Sequence, residues 1–166
     1  INGANNPTIG KYIAFFKEVF LINEVPIYSG RALGSTKYPK IYFQDVGLRN
    51  AIAGVGDAPL EDTAAGHLAE TIACDHLRRL AFKLNLNSPG HIYCYRDKPG
   101  DVDFILDLPR FGLKLPIECK FRRNISDLGG LRFYQKEHEQ KMGLVLTRDK
   151  LKLEENTMFM PLWMFA

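Results

Sequence analysis

The stretch that most limits what this chain can fold into is "DVDFILDLPRFGLKLPIECK", from Asp101 to Lys120. Two apolar runs of strand length flank a Pro/Gly turn, which reads as a β-hairpin. Alternate residues of a strand share a face. Leu113, Leu115, Ile117 and Cys119 therefore form one apolar face, and Lys114, Pro116, Glu118 and Lys120 form the other. On the preceding strand, Val102, Phe104 and Leu106 are expected on one side, and Asp101, Asp103, Ile105 and Asp107 on the other. Pairing as a hairpin lets Asp103 sit close to Glu118 and Lys120. Two carboxylates and an ammonium on a rigid sheet offer oxygen ligands to a hard divalent cation, and a nearby positive charge to favour hydroxide.

The segment in front supplies a fourth group. In "GHLAETIACDHLRRLAFKL", Leu68, Ile72, Leu77, Leu80 and Leu84 recur at helical intervals. Glu70 falls on a small-residue face with Gly66, Ala73, Cys74 and Leu77, directed toward the core. An acid placed there is costly unless it is paired or bound to metal.

Around these residues, "HIYCYRD" reads as a strand, "KPGD" as a turn, and "SDLGGLRFYQKEHEQ" as a helix capped by Ser126 with Gly129 and Gly130 weakening its first turn. "MGLVLTRD" and "MFMPLWMF" read as buried strands. Residues 57–166 thus read α, β, β, β, α, β, β, an α/β fold. Upstream, a helix is expected from about residue 7, with Asn6 as cap and Pro7 in its first turn. "FLINEVPIYSG" and "KIYFQDV" are β-prone runs flanking the basic loop "GRALGSTKYP", and "VGLRNAIAG" reads as a connecting helix. Helix, strand, basic loop, strand is the order of the second half of a winged helix. Residues 1–56 are accordingly read as a partial winged-helix segment with a connecting helix, and "VGDAPLEDTAAG" marks the boundary near residue 57.

Composition sets the outer bounds. A chain of 166 residues with 46% hydrophobic residues can bury one sizeable core. No run approaches the roughly 18 apolar residues of a membrane span, and no signal-peptide pattern opens the chain, so a cytoplasmic protein is expected. Cys74, Cys94 and Cys119 form no Cys-x-x-Cys pair and read as reduced core thiols. The first residue is Ile1, as expected of a piece of a longer polypeptide. Six basic residues against three acidic ones before residue 57 carry the whole net charge of +3, a mild sign of a nucleic-acid-facing end.

The order Glu70, Asp103, Glu118-x-Lys120 across helix, strand and strand resembles the PD-(D/E)XK nuclease-like superfamily, whose restriction-endonuclease-like core is αβββαβ. More narrowly, "KIYFQDVGLRNAIAG", "GHLAE", "GDVDFIL", "PIECK" and "PLWMF" resemble the C-terminal region of a group of prokaryotic ATPases. There, a P-loop ATPase module precedes a winged helix and a nuclease-like domain of uncharacterised function. The resemblance implies that Asp103 and Glu118 hold Mg²⁺, with Mn²⁺ as a substitute, that Glu70 assists the metal site, and that Lys120 orients or deprotonates water. It also implies two partners, the upstream ATPase domain of the same polypeptide and nucleic acid, DNA first. Arg122, Arg123, Lys37 and Lys40 are candidate nucleic-acid contacts.

Other readings are weaker. "GRALGSTK" lacks the glycine spacing and the Gly-Lys-Ser/Thr ending of a P-loop, so no ATP site is expected within this chain. Cys74 and His76 have no second pair for zinc. Tyr93, Tyr95 and Phe104 offer base-stacking rings, although strand aromatics more often serve the core. The expected function is a Mg²⁺-dependent nuclease-like activity on phosphodiesters. The alternative is a non-catalytic DNA- or protein-binding module that regulates the attached ATPase.

Overall fold

The computed structural model describes residues 6–28, 38–55, 62–86, 89–98, 100–125 and 127–166. The chain begins with α1 (Asn6–Glu18), which places Pro7 where its missing N–H removes no helical bond. Strands β1 (Ile22–Val25) and β2 (Lys40–Phe43) pair antiparallel, from Ile22 opposite Phe43 to Val25 opposite Lys40. Helix α2 (Val46–Ile52) starts at Asp45, whose carboxylate accepts from the Leu48 N–H at 2.6 Å. A cap of this kind is worth about 1 kcal/mol. The helix expected here is present, but Ile9, Tyr12, Phe15 and Phe16 are exposed and Ile13 is half-buried.

There follow α3 (Asp62–Lys83), β3 (Ile92–Asp97), β4 (Gly100–Leu108), β5 (Leu113–Lys120), α4 (Gly129–Glu137), β6 (Gly143–Thr147), β7 (Lys152–Glu154), β8 (Thr157–Pro161) and α5 (Leu162–Phe165). The fold is mixed α/β. Six strands form one sheet in the order β3-β4-β5-β6-β8-β7, parallel at β5/β6 and β6/β8 and antiparallel elsewhere. The expected strand through "MFMPLWMF" stops at Pro161 and continues as α5. Proline has no N–H to extend a ladder, and the last β6/β8 pair is Thr147 with Pro161. The short outer strand β7 was not anticipated. Gly112, at φ 59°, closes the β4–β5 turn in the left-handed region that glycine enters without strain.

Each face of the sheet is covered. On one, Ala69, Ala73, Cys74, Leu77 and Ala81 of α3 pack on Phe104, Leu106, Ile117, Leu144 and Leu146. On the other, Leu131 and Tyr134 of α4 pack on Tyr95, Val102, Ile105, Val145 and Phe159. The small residues of α3 let the helix approach the sheet closely. Val25 and Tyr42 of the β1–β2 hairpin join the α3-side core. A parallel bridge between Ile27 and Cys94 ties the same segment to β3, with Tyr28 N–H bonded to the Cys94 carbonyl at 2.7 Å and Cys94 N–H to the Pro26 carbonyl at 2.8 Å.

Candidate active site

The period-two expectation for β4 fails at one place, and that place makes the site. Tyr93 pairs with Ile105 and Tyr95 with Val102, so two β4 residues, Asp103 and Phe104, lie opposite the single Cys94. This is a β-bulge, which bends a strand and re-aims its side chains. Val102 and Phe104, expected on one face, instead pack on opposite faces. Asp103 goes with Phe104 to the α3 side, where Glu70 and Lys40 meet it.

There the Lys40 ammonium lies 2.6 Å from Asp103 Oδ1 and 3.5 Å from Glu70 Oε2, with its side chain 16% exposed. The Tyr42 hydroxyl donates to Glu70 Oε2 at 3.0 Å, and the ring packs 5.4 Å from that of Phe104. Burial opposes the charge on Lys40, but Asp103 and Glu70 outweigh it and hold the ammonium above its ordinary range. Burial and the Glu70 carboxylate likewise push the Tyr42 phenol up, so it stays protonated and donates to Glu70. Glu70 thus does lie at the inner end of the α3 face, paired rather than solvated.

Lys40, the first residue of the β-prone run "KIYFQDV", is expected as a nucleic-acid contact. It is a strand residue, but it is turned inward, because Lys40 and Tyr42, two apart on β2, share the face that packs on α3 and β4. Lys37 lies outside the described residues. Arg122 and Arg123 are exposed beyond the end of β5. Phe104 and Tyr95 are buried, so they serve the core rather than base stacking. Tyr93 is half-buried against Tyr28.

The continuous β4/β5 ladder ends at Phe104 and Ile117. Just past it, side chains replace the ladder partners. Asp103 Oδ2 accepts from the Cys119 N–H at 2.9 Å, and Glu118 Oε2 accepts from the Asp103 N–H at 3.4 Å. Glu118 Oε1 lies 2.6 Å from the Lys120 ammonium. Burial, followed by the nearby Asp103 carboxylate, pushes the Glu118 carboxyl up to about 7, despite the Lys120 contact that lowers it. A cleft of about 470 Å³ opens over Glu118 and Lys120, with Asp97, Asp101 and Asp127 on its walls. Its floor depends on two glycines in contact. A Cβ on Gly130 would fall 2.2 Å from the Asp101 carbonyl oxygen, and one on Gly100 would fall 2.8 Å from Gly130 Cα. The first turn of α4 therefore seats on the β3–β4 hairpin only because both positions lack side chains. Asp127 accepts from the Gly129 N–H at 3.0 Å, and Ser126, the expected cap, lies outside the described residues.

The structure brings Glu70, Asp103, Glu118 and Lys120 into one connected network, but as two halves. Lys40 and Glu70 approach Asp103 from the α3 side, while Glu118 and Lys120 face the cleft beside α4. Among the described residues, no three His, Cys, Asp or Glu side chains gather as a metal-binding group. The donor chemistry nevertheless suits a hard cation, being carboxylate oxygen throughout. Positive charge already has a seat here, since the Lys40 ammonium stands between Glu70 and Asp103. Formal charge leaves one negative in excess among these groups, since Glu70, Asp103 and Glu118 are paired with Lys40 and Lys120.

A family model described as Domain of unknown function (DUF4143) matches residues 65–165, and another described as Domain of unknown function (DUF8612) matches residues 2–58. Comparison with curated proteins and with solved structures gave no match. Among the described residues, no helix is long and apolar enough to cross a membrane.

Proposed function

This chain belongs to the family described as Domain of unknown function (DUF4143), which matches more than half of it, and from that premise we propose a nuclease-like domain directed at nucleic-acid phosphodiesters. In this reading, residues 57–166 are a restriction-endonuclease-like domain of the PD-(D/E)XK kind. Residues 1–56 are a partial winged helix, and the whole forms the C-terminal part of a larger prokaryotic ATPase. The order α3, β3, β4, β5, α4, β6 supports the fold reading. One observation carries the functional reading: where β4 and β5 part, Asp103, Glu118 and Lys120 are joined by hydrogen bonds and an ion pair beside an open cleft, with Glu70 tied in through Lys40.

Asp103 and Glu118 would hold Mg²⁺ or Mn²⁺, with Glu70 assisting, and the bound ion would act as Lewis acid and lower the pKa of its water. The cleft wall requires such help. Asp97, Asp101, Asp127 and Glu118 face only Lys98 and Lys120 there, so a phosphate backbone is repelled until positive charge is added. The chain's own residues then have distinct tasks. Lys120 exchanges its contact with Glu118 for a phosphate oxygen or the attacking water. The amides of Asp103 and Cys119 fix the carboxylates, so that each presents its remaining oxygen lone pairs in a set direction. Arg122 and Arg123, exposed next to Lys120, bind flanking phosphates.

A second reading has its own support. The three carboxylates already have Lys40 and Lys120 as counter-ions, which suits a non-catalytic module that binds DNA or protein and regulates the attached ATPase. Incubation with single- and double-stranded DNA and RNA plus Mg²⁺ or Mn²⁺, beside Lys120→Ala, separates the two. Cleavage lost in the variant supports the nuclease. Binding without cleavage in any metal favours the regulatory module.

A further inference from the structure

We propose that Lys40 is a tethered counter-ion that a divalent cation must displace in order to bind at Asp103, so that the β1–β2 hairpin controls metal occupancy. The inference rests on the metal-site reading above and adds its regulation. Lys40 comes from outside the Glu70, Asp103, Glu118, Lys120 set, on a hairpin 63 residues earlier in sequence than Asp103. Its ammonium takes one Asp103 oxygen at 2.6 Å, while the Cys119 amide takes the other at 2.9 Å. A metal ion competing for Asp103 therefore meets a bound cation rather than water. The competitor is held at high local concentration by its strand. It is pinned by Tyr42 on the same face and by the Ile27–Cys94 bridge, which joins the hairpin to the same stretch of sheet that carries the bulge.

Such coupling is reciprocal. If withdrawing Lys40 strengthens metal binding, then metal binding must loosen Lys40 from the site by the same factor. Any movement of the hairpin, whatever drives it, would thereby be felt at Asp103. The hairpin is the natural lever, because α1 leads directly into β1 and exposes most of its surface.

Calorimetric titration of Mn²⁺ and of Mg²⁺ into the wild-type chain, Lys40→Met, Lys40→Arg and Glu118→Gln tests this. The expected result is at least about tenfold tighter binding by Lys40→Met than by wild type, near-wild-type affinity for Lys40→Arg, and weaker binding for Glu118→Gln; tenfold corresponds to about 1.4 kcal/mol. Equal affinity of Lys40→Met and wild type, or weaker binding by the variant, overturns the counter-ion role while leaving the metal site standing. Failure of every form to bind removes the metal site itself, and the proposal with it.

Because Lys40→Met leaves Asp103 without its counter-charge, a measurement on the wild-type chain complements it. In ¹⁵N-lysine-labelled protein, the Lys40 ammonium should exchange slowly with solvent and become fast at saturating Mg²⁺. Exchange that Mg²⁺ leaves unchanged overturns the proposal.

Discussion

At the scale of single residues, the charges that look misplaced in two apolar strands are held by specific partners. Glu118 is buried, bonded to Lys120 and to the Asp103 amide, and its carboxyl is pushed up to about 7. A raised carboxyl favours the protonated folded state, so its contribution to stability is complete below its ordinary value of 4.5 and is lost as pH rises through about 7. The melting temperature should therefore carry a downward component between about pH 4.5 and 7, and Glu118→Gln should flatten it. Added Mg²⁺ should restore stability at pH 7, because an ion that binds only the folded state stabilises it. Identical pH profiles for wild type and variant would show that Glu118 does not titrate in this window. That Glu118 and Lys120 lie on one face of β5 was legible from strand periodicity, whereas the direction in which Asp103 points depends on the bulge beside Cys94. The role of Lys40 was missed because the first residue of the β-prone run "KIYFQDV" was grouped by charge with Lys37 as a nucleic-acid contact. The spacing of Lys40 and Tyr42, alternate residues of a β-prone run, was the available signal.

At the scale of elements, the helices and most strands follow from local pattern, and the departures come from contacts that pattern does not encode. The bulge at Asp103 and Phe104 adds one residue against Cys94, and no sequence period announces it. The Gly129-Gly130 pair argues against a helix start by propensity, yet close packing on β4 selects it. Replacing Gly by Ala in a helix ordinarily gains about 1 kcal/mol. At Gly130 the new Cβ would meet a backbone oxygen at 2.2 Å, so the clash wins, and Gly130→Ala should lose about 1–3 kcal/mol. Gly129→Ala meets only the Asp127 side chain at 3.3 Å and should be neutral or better. Urea melts of the two variants give the comparison, and equal stabilities would refute the packing account of α4. Tyr42→Phe removes the hydroxyl bond to Glu70 while keeping the ring on Phe104, and should cost about 1.5 kcal/mol in the same assay.

At the scale of the molecule, the N-terminal hairpin is part of the machinery as well as of the core. Val25 and Tyr42 bury with α3, and Lys40 completes the charge balance around Asp103. Sequence reading separated residues 1–56 from the rest on composition and turn signals. It could not see this contact, because contacts between β2 and β4 span about sixty positions, far outside any local window. The central claim is that Asp103 and Glu118 form a divalent-cation site from which Lys40 must withdraw. Anomalous scattering from Mn²⁺ soaked into crystals of the chain tests it most directly. The expected result is a single strong peak in contact with the carboxylates of Asp103 and Glu118, with the Lys40 ammonium moved away from Asp103. Crystals at saturating Mn²⁺ that show no peak there, and still pair Lys40 with Asp103, would contradict it.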